Sequence, residues 1–252
     1  MADSIDEQLL REVEAYPSTN VTRLFRFAGR VLPDTIGGGC LWLAAKMGGR
    51  LLERIPGLKV RYYDLGAPGS HTTTLSDDGR ERKLFEPSLF QVRPYVLNRL
   101  TADPQDCYSD TFPMEGGYTI RLKYTWVKPE EMLKMEMLSP RGYTLREYLY
   151  RFQAPIAANP DDPYAGLPFL DQQDTIYVHV LNPDYTKTML TLGTRTRRMN
   201  IGRQSDKLYI ESEPGFQGRF EHVAKQMQVT EKQLRDLLGE ALEIHNGHYP
   251  LT

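Results

Sequence analysis

The sequence predicts an α+β protein with an N-terminal helical subdomain, an antiparallel β-barrel-like middle subdomain and a C-terminal α/β lid. Three observations lead to this prediction. Apolar residues recur at helical spacing in the first fifth of the chain, short runs with strand character follow, and a segment dense in proline and aspartate separates two β-containing parts. A chain of 252 residues can form one large domain or two to three small subdomains that share a core.

The helical subdomain is predicted to cover residues 1–57. Apolar residues at helical spacing predict helices over residues 4–15 and 20–32. A third helix begins near residue 39 and ends at the Ile-Pro-Gly sequence of residues 55–57, because proline and glycine terminate helices.

The β subdomain is predicted to cover residues 58–152, where runs rich in aromatic and β-branched residues are bounded by Gly, Pro or Asp. A meander or a small barrel fits this pattern. The predicted strands are residues 58–65, 71–76, 81–86, 118–127 and 146–152.

A Pro- and Asp-rich connecting segment, residues 153–169, precedes the C-terminal α/β lid, residues 170–252. A final helix starts at Thr230, which forms a capping box with Gln233. The predicted strands of the lid are residues 175–182, 186–193 and 207–212.

Composition excludes several classes of function. The 31 basic and 33 acidic residues give a formal net charge of −2, which argues against nucleic acid as a partner. The N-terminus is acidic and amphipathic, and no run of about 18 apolar residues occurs, so we expect a cytoplasmic protein with no membrane partner. Two cysteines, Cys40 and Cys107, without zinc-ligand spacing predict neither a disulfide framework nor a metal site.

Cys40 follows three consecutive glycines and opens the third predicted helix. Free N–H groups and the dipole at a helix start favour a thiolate there. The glycines let the backbone turn and leave room beside the sulfur for a carbonyl substrate. The alternative is that Cys40 is a small core residue beside a flexible loop.

A nucleophilic cysteine needs a base, and His71 is the best candidate. The dipeptide Asp78-Gly79 predicts a two-residue hairpin loop between the strand that His71 opens and the next strand. This register places His71 opposite Glu86, close enough for the carboxylate to bind the imidazole. The other histidines fit packing or surface roles; they are His179, His222, His245 and His248.

A carboxylate that binds one imidazole nitrogen directs the other nitrogen toward a nucleophile. Cys40, His71 and Glu86 therefore form a candidate catalytic triad. Two alternatives stay open: a buried His-Glu pair without a catalytic role, and a register slipped by one residue, which would put the two side chains on opposite faces.

The order of these groups resembles the arylamine N-acetyltransferase family. Three stretches carry the resemblance, namely GGGC at residues 37–40, HTTTLSDDGRERKLFEPSL at 71–89 and QVTEKQLRDLLGEALEI at 228–244. The chain differs from the family pattern near the cysteine, with Ile36 in place of arginine, Gly39 in place of an aromatic residue and Trp42 in place of glutamate. Glu86 stands where the family generally has aspartate.

The resemblance implies a cysteine-proteinase-like or transglutaminase-like core with Cys40, His71 and Glu86 as its triad. It also implies that Gly38, Gly39 and Trp42 contact the substrate. The expected activity is transfer of an acyl group from a thioester, acyl-CoA or an acyl carrier protein, through a Cys40 acyl-enzyme to an amine. The thioester is a cosubstrate, and no bound cofactor is expected.

The expected partners are a small-molecule amine or a carrier-bound acyl chain, and with the latter an acyl or peptidyl carrier protein. Relatives in antibiotic pathways use the same triad to form amides from carrier-bound chains, which suggests secondary metabolite biosynthesis. Two alternatives remain: a transglutaminase-like or amidase enzyme that attacks a carboxamide, and a catalytically inactive binding module of the same fold.

Overall fold

Five α-helices occur in the part of the chain that the computed structural model describes. This part comprises residues 4–64, 71–97, 108–112, 119–127, 132–152, 155–156, 159, 161–164, 173–182, 184–202 and 208–249. The helices are α1 (Ile5–Glu14), α2 (Val21–Phe27), α3 (Cys40–Arg54), α4 (Pro214–Gln226) and α5 (Glu231–His248). None of these five helices is long and apolar enough to span a membrane.

The strands of the described residues form three antiparallel sheets. They are β1 (Ser18–Thr19), β2 (Lys59–Asp64), β3 (Thr72–Asp77), β4 (Arg82–Phe85), β5 (Tyr95–Val96), β6 (Tyr108–Asp110), β7 (Arg121–Val127), β8 (Met132–Leu138), β9 (Thr144–Arg151), β10 (Thr175–Leu181), β11 (Lys187–Gly193), β12 (Met199–Gly202) and β13 (Tyr209–Ile210). The sheet orders are β2-β3-β4-β5, β6-β7-β8-β9 and β1-β10-β11-β12-β13. The predicted mixture of helices and antiparallel sheets is confirmed. The first two sheets are open meanders, so the meander alternative holds for the middle part of the chain.

The chain divides into two compact units. The first holds α1, α3 and both four-stranded meanders; the second holds α2, α4, α5 and the five-stranded sheet. Their ranges are residues 1–14, 40–113 and 118–167 for the first unit, and residues 15–39, 114–117 and 168–252 for the second. The domain boundaries inferred from the sequence stay a prediction.

The second unit is built on strand β10, against which α2, α4 and α5 all pack. Its core includes buried apolar side chains from these four elements and from β11 and β12, among them Phe25, Val178, Phe220 and Leu238. Helix α5 starts as predicted, because the Thr230 hydroxyl accepts from the Gln233 N–H and the Gln233 side chain accepts from the Thr230 N–H.

Helix α3 packs along the first meander, and this packing fixes the position of Cys40 at its start. The Thr74 hydroxyl of β3 donates to the Ala44 carbonyl at 2.8 Å. A Cβ at Gly48 would lie 2.1 Å from the Tyr62 hydroxyl of β2, so the glycine allows the helix to approach the sheet.

Several elements differ from the sequence predictions: helix α4 and the short strands β1, β5, β6 and β12 were not predicted. Two further differences have identifiable reasons. Helix α2 ends at Phe27, before the predicted residue 32, because Gly29 adopts a φ of 74° just beyond it. Strand β8, MLKMEML, was not predicted, since Met, Leu, Glu and Lys have no preference for strands. The residues of the connecting segment lie largely outside the described part of the chain.

The backbone of the glycines just before Cys40 lies very close to the backbone of Pro17. Gly37 has φ 77° and ψ −161°, a region that essentially only glycine adopts. A Cβ there would lie 1.8 Å from the Pro17 carbonyl oxygen. The Gly38 N–H donates to the same oxygen at 3.1 Å, and the Thr19 N–H donates to the Gly38 carbonyl at 3.0 Å. The entry to α3 is therefore an ordered crossing of two backbone segments.

This geometry predicts that Gly37→Ala destabilises the protein far more than Gly29→Ala. Both glycines have a positive φ, but a Cβ at Gly29 would meet nothing within 4 Å. We expect Gly29→Ala to lower the free energy of unfolding by about 1–2 kcal/mol. Gly37→Ala should lower it by more than about 3 kcal/mol, because backbone strain adds to the steric overlap. Urea unfolding measures both, and equal losses would contradict the close contact.

Candidate active site

The hairpin that carries His71 and Glu86 has a longer loop than predicted. Asp77 pairs with Arg82 and Leu75 with Leu84, so four residues, 78–81, connect the strands. The Asp78 carboxylate accepts from the N–H groups of Arg80 and Glu81 at 2.8 and 2.7 Å, and these bonds stabilise the wider loop.

The predicted register is therefore wrong by two residues, yet the predicted contact is present. His71 directly precedes β3 and Glu86 directly follows β4, beyond the paired residues. Because side chains alternate with a period of two, a shift by two residues leaves both on the same face of the sheet. The His71 Nε2–H donates to Glu86 Oε2 at 3.0 Å, and both side chains are buried.

A tight turn after Glu86 fixes the carboxylate from the backbone side. A 3₁₀ turn, Pro87–Leu89, is followed by Phe90 in the left-handed region with φ 56°. This turn brings the Gln91 side chain back, so that its Oε1 accepts from the Glu86 N–H at 3.0 Å. The Gln91 amide in turn donates to the Tyr124 hydroxyl at 3.0 Å.

The second meander supplies the other partner of the carboxylate. Tyr150 of β9 donates its hydroxyl proton to Glu86 Oε1, while His71 binds Oε2. Burial and the negative charge of Glu86 raise the pKa of Tyr150 and of Tyr124 well above the ordinary value of 10.0. Both hydroxyls therefore keep their protons at neutral pH, and Tyr150 serves as a donor.

His71 is held from three sides. Nε2 faces Glu86, the Cys40 side chain lies close enough to raise the pKa of the ring, and Tyr148 stacks on the ring with centroids 4.6 Å apart. Burial disfavours a charged imidazole, but the Glu86 carboxylate, its hydrogen bond to the ring and the nearby Cys40 side chain outweigh burial. Together they raise the pKa of His71 well above the ordinary value of 6.5.

Cys40 is the first residue of α3 and is a half-buried free cysteine. The first N–H groups of a helix have no partner within the helix and carry partial positive charge. Cys40 is thus at a helix start and near an imidazole that favours its charged form. A helix start and an imidazolium can both bind negative charge that develops beside them.

The residues predicted to contact substrate have other contacts in the described structure. Gly38 uses its N–H and carbonyl in the backbone crossing with Pro17 and Thr19. Trp42 is only 5% exposed, and the Lys46 ammonium lies 5.0 Å from its ring centroid. The substrate contacts assigned to Gly38, Gly39 and Trp42 stay predictions.

The other histidines have packing or hydrogen-bonding partners. His179 stacks on Tyr177 with centroids 4.8 Å apart, and His222 on α4 donates to Asn182 Oδ1 at 2.7 Å. Cys107 lies outside the described residues. Within the described residues, no three side chains of His, Cys, Asp or Glu come together as a metal site could require.

Sequence reasoning missed Gln91, Tyr148 and Tyr150 around the candidate triad. The signal for two of them was visible, since Tyr148 and Tyr150 alternate along β9 and alternation puts them on one face. Nothing in the alternation indicates which partner that face meets. Gln91 had no comparable signal, because its position depends on the left-handed turn at Phe90.

Solved structures share this fold. The arylamine N-acetyltransferases of Mycobacterium smegmatis, Salmonella typhimurium and Nocardia farcinica align with TM-scores of 0.54, 0.53 and 0.51 at 14%, 14% and 17% sequence identity. The alignments cover 96%, 92% and 95% of this chain and 93%, 89% and 84% of those chains. No protein-family model matches the sequence, and no curated protein matches it. The chain therefore has the arylamine N-acetyltransferase fold with a divergent sequence.

Replacing the carboxylate by an amide should lower the pKa of His71. In Glu86→Gln the charge that favours the imidazolium is gone, so we expect a fall of about 1–3 pH units. In the wild type the raised pKa stabilises the fold fully below the unfolded value of about 6.5, and this stability is lost as pH rises through the folded value. In Glu86→Gln this loss of stability with rising pH should become smaller, because the pKa of His71 in the folded protein moves toward or below its unfolded value.

NMR titration of the imidazole carbon and urea unfolding at several pH values measure these two effects. Glu147→Gln is the matched control, because Glu147 is exposed and pairs with Lys134 at 2.7 Å on β8. An unchanged His71 titration in Glu86→Gln would contradict the electrostatic role of Glu86.

Tyr150→Phe should destabilise the protein by about 1.5–3 kcal/mol, because a buried carboxylate oxygen loses its donor. Tyr143→Phe makes the same change at a side chain that is 70% exposed. That control should change the free energy of unfolding by less than about 0.5 kcal/mol. Thermal or urea unfolding of both variants compares the two sites, and equal small losses would rule out a structural role for the Tyr150 hydroxyl.

Proposed function

We propose that the protein is an acyltransferase that moves an acyl group from a thioester to an amine through a Cys40 acyl-enzyme. The observation that carries the proposal is the chain of contacts from the Cys40 side chain to His71 and from His71 to the buried Glu86. The shared fold with solved arylamine N-acetyltransferases supports this reaction class.

In the first step the Cys40 thiolate attacks the carbonyl carbon of the thioester, with His71 in its imidazolium form. The carbonyl π pair moves to oxygen, and the partial positive charge of the backbone at the start of α3 stabilises the resulting oxyanion. When the tetrahedral intermediate collapses, the bond from carbon to the donor sulfur breaks. The donor thiolate takes the proton from His71, and the acyl group stays on Cys40.

In the second step the amine attacks the Cys40 thioester, and neutral His71 accepts the proton that the amine nitrogen loses. The bond from carbon to the Cys40 sulfur then breaks, which releases the amide and restores the thiolate beside the imidazolium. Glu86 stays ionised throughout and stabilises the positive ring, as the acid of a triad does. Atoms and protons balance without a further reactant.

We assign the donor to the class of acyl thioesters, on coenzyme A or on an acyl carrier protein, and the acceptor to the class of amines. The departures near Cys40, which are Ile36, Gly39 and Trp42, separate this chain from the family pattern. Because these residues flank the nucleophile, the acceptor of this protein is proposed to differ from a simple arylamine.

The proposal predicts an acyl adduct on Cys40 when the protein meets an acyl thioester without an amine. Intact mass spectrometry after incubation with acetyl-CoA and with acyl-pantetheine should detect it, with a stoichiometric burst of free thiol. Cys40→Ala should form no adduct. Cys107→Ala, which changes the other cysteine of the chain, should form it as the wild type does. His71→Ala should slow acylation by about 10²–10⁴-fold.

An adduct that persists in Cys40→Ala would disprove the assignment of the nucleophile. A wild-type protein that ignores every thioester but forms an adduct with a glutaminyl peptide would instead indicate the carboxamide reaction. A protein that reacts with neither would indicate a binding module.

A further inference from the structure

Tyr148 covers one face of the His71 imidazole. The two rings are stacked, with centroids 4.6 Å apart and planes inclined by 24°. Tyr148 is half-buried, whereas Tyr150 on the same face of β9 is fully buried. The Tyr148 ring therefore lies at the outer side of the pair that His71 forms with Glu86.

The backbone holds this ring in place. Tyr148 pairs with Met135 and Tyr150 with Leu133 in the ladder between β8 and β9. Tyr150 also hydrogen-bonds Glu86, which anchors the same strand to the acid of the site. The ladder and this hydrogen bond together leave Tyr148 little freedom to move away from His71.

We propose that Tyr148 is a positioning residue for His71: its ring holds the imidazole between Glu86 and Cys40 and stabilises positive charge on it. The step in acyl transfer where this matters rests on the proposed function. Its effect on the charge and orientation of His71 does not, because both can be measured without substrate.

Two physical effects support this role. A flat ring stacked at this distance blocks rotation of the imidazole out of the plane that serves Glu86. The π-electron face of an aromatic ring also attracts a cation above it. Both effects need the ring and not the hydroxyl, so phenylalanine should replace Tyr148 and an aliphatic residue should not.

Among the residues that the structure describes, three further groups interact with His71. They are the Glu86 carboxylate, the Cys40 side chain and the Tyr150 ring, whose centroid is 6.2 Å from that of the imidazole. The neighbouring Asp64 carboxylate accepts from the Thr72 hydroxyl. None of these groups is substituted in the Tyr148 variants. A change in the midpoint of the His71 titration therefore reports on the loss of the stacked ring.

The test compares Tyr148→Leu with Tyr148→Phe, and Tyr143→Leu provides the same change at an exposed side chain of the same meander. The midpoint of the His71 titration, measured by NMR, should fall by about one pH unit in Tyr148→Leu. It should stay unchanged in Tyr148→Phe and in Tyr143→Leu. If the acyl transfer holds, kcat should fall about tenfold in Tyr148→Leu with KM little changed.

A second variant guards against a folding defect in Tyr148→Leu. A fluorinated phenylalanine at position 148 keeps the shape of the ring but withdraws electron density from its face, and it should lower the His71 titration midpoint relative to Tyr148→Phe. Wild-type titration curves in both Tyr148→Leu and the fluorinated variant would overturn the proposal. Absence of a thioester adduct on Cys40 in the wild type would overturn the proposed function and leave this titration result standing.

Discussion

A buried carboxylate determines the arrangement of the first unit. Glu86 has no exposed surface, and an ionised group in such a place costs about several kcal/mol unless charged or polar partners compensate. The structure provides His71 on one oxygen and Tyr150 on the other, with Gln91 on the backbone N–H. Because Tyr150 comes from the second meander, the requirement of one carboxylate links the two sheets of this unit.

The same carboxylate determines the chemistry of the candidate site. It opposes the effect of burial on His71, so that the imidazole carries a proton where an isolated buried histidine would be neutral. A protonated imidazole and a helix start both attract negative charge that develops beside them. Stability and proposed catalysis thus depend on one interaction, and a change at Glu86 cannot affect one without the other.

Small residues place Cys40 within reach of this pair. Gly48 lets α3 lie close to Tyr62 of β2, and Gly37 lets the chain cross Pro17 just before the helix begins. The space left by the missing Cβ of Gly37 is therefore occupied by the protein's own backbone at Pro17.

The sequence by itself determined four of the five described helices, most of the longer strands, the start of α3 near Cys40, the capping box of α5 and the meeting of His71 with Glu86. Local periodicity and turn residues carry this information. The sequence did not predict the register of the hairpin between β3 and β4, because the side chains of Asp77 and Asp78 bind loop N–H groups and stabilise a four-residue connection. Because the register differs from the prediction by two residues, His71 and Glu86 stay on the same face of the sheet. Their contact is therefore present although the predicted register is wrong. Only the tertiary structure decided that Tyr148, Tyr150 and Gln91 surround the pair, because a strand pattern specifies which side chains share a face but not which distant segment that face meets.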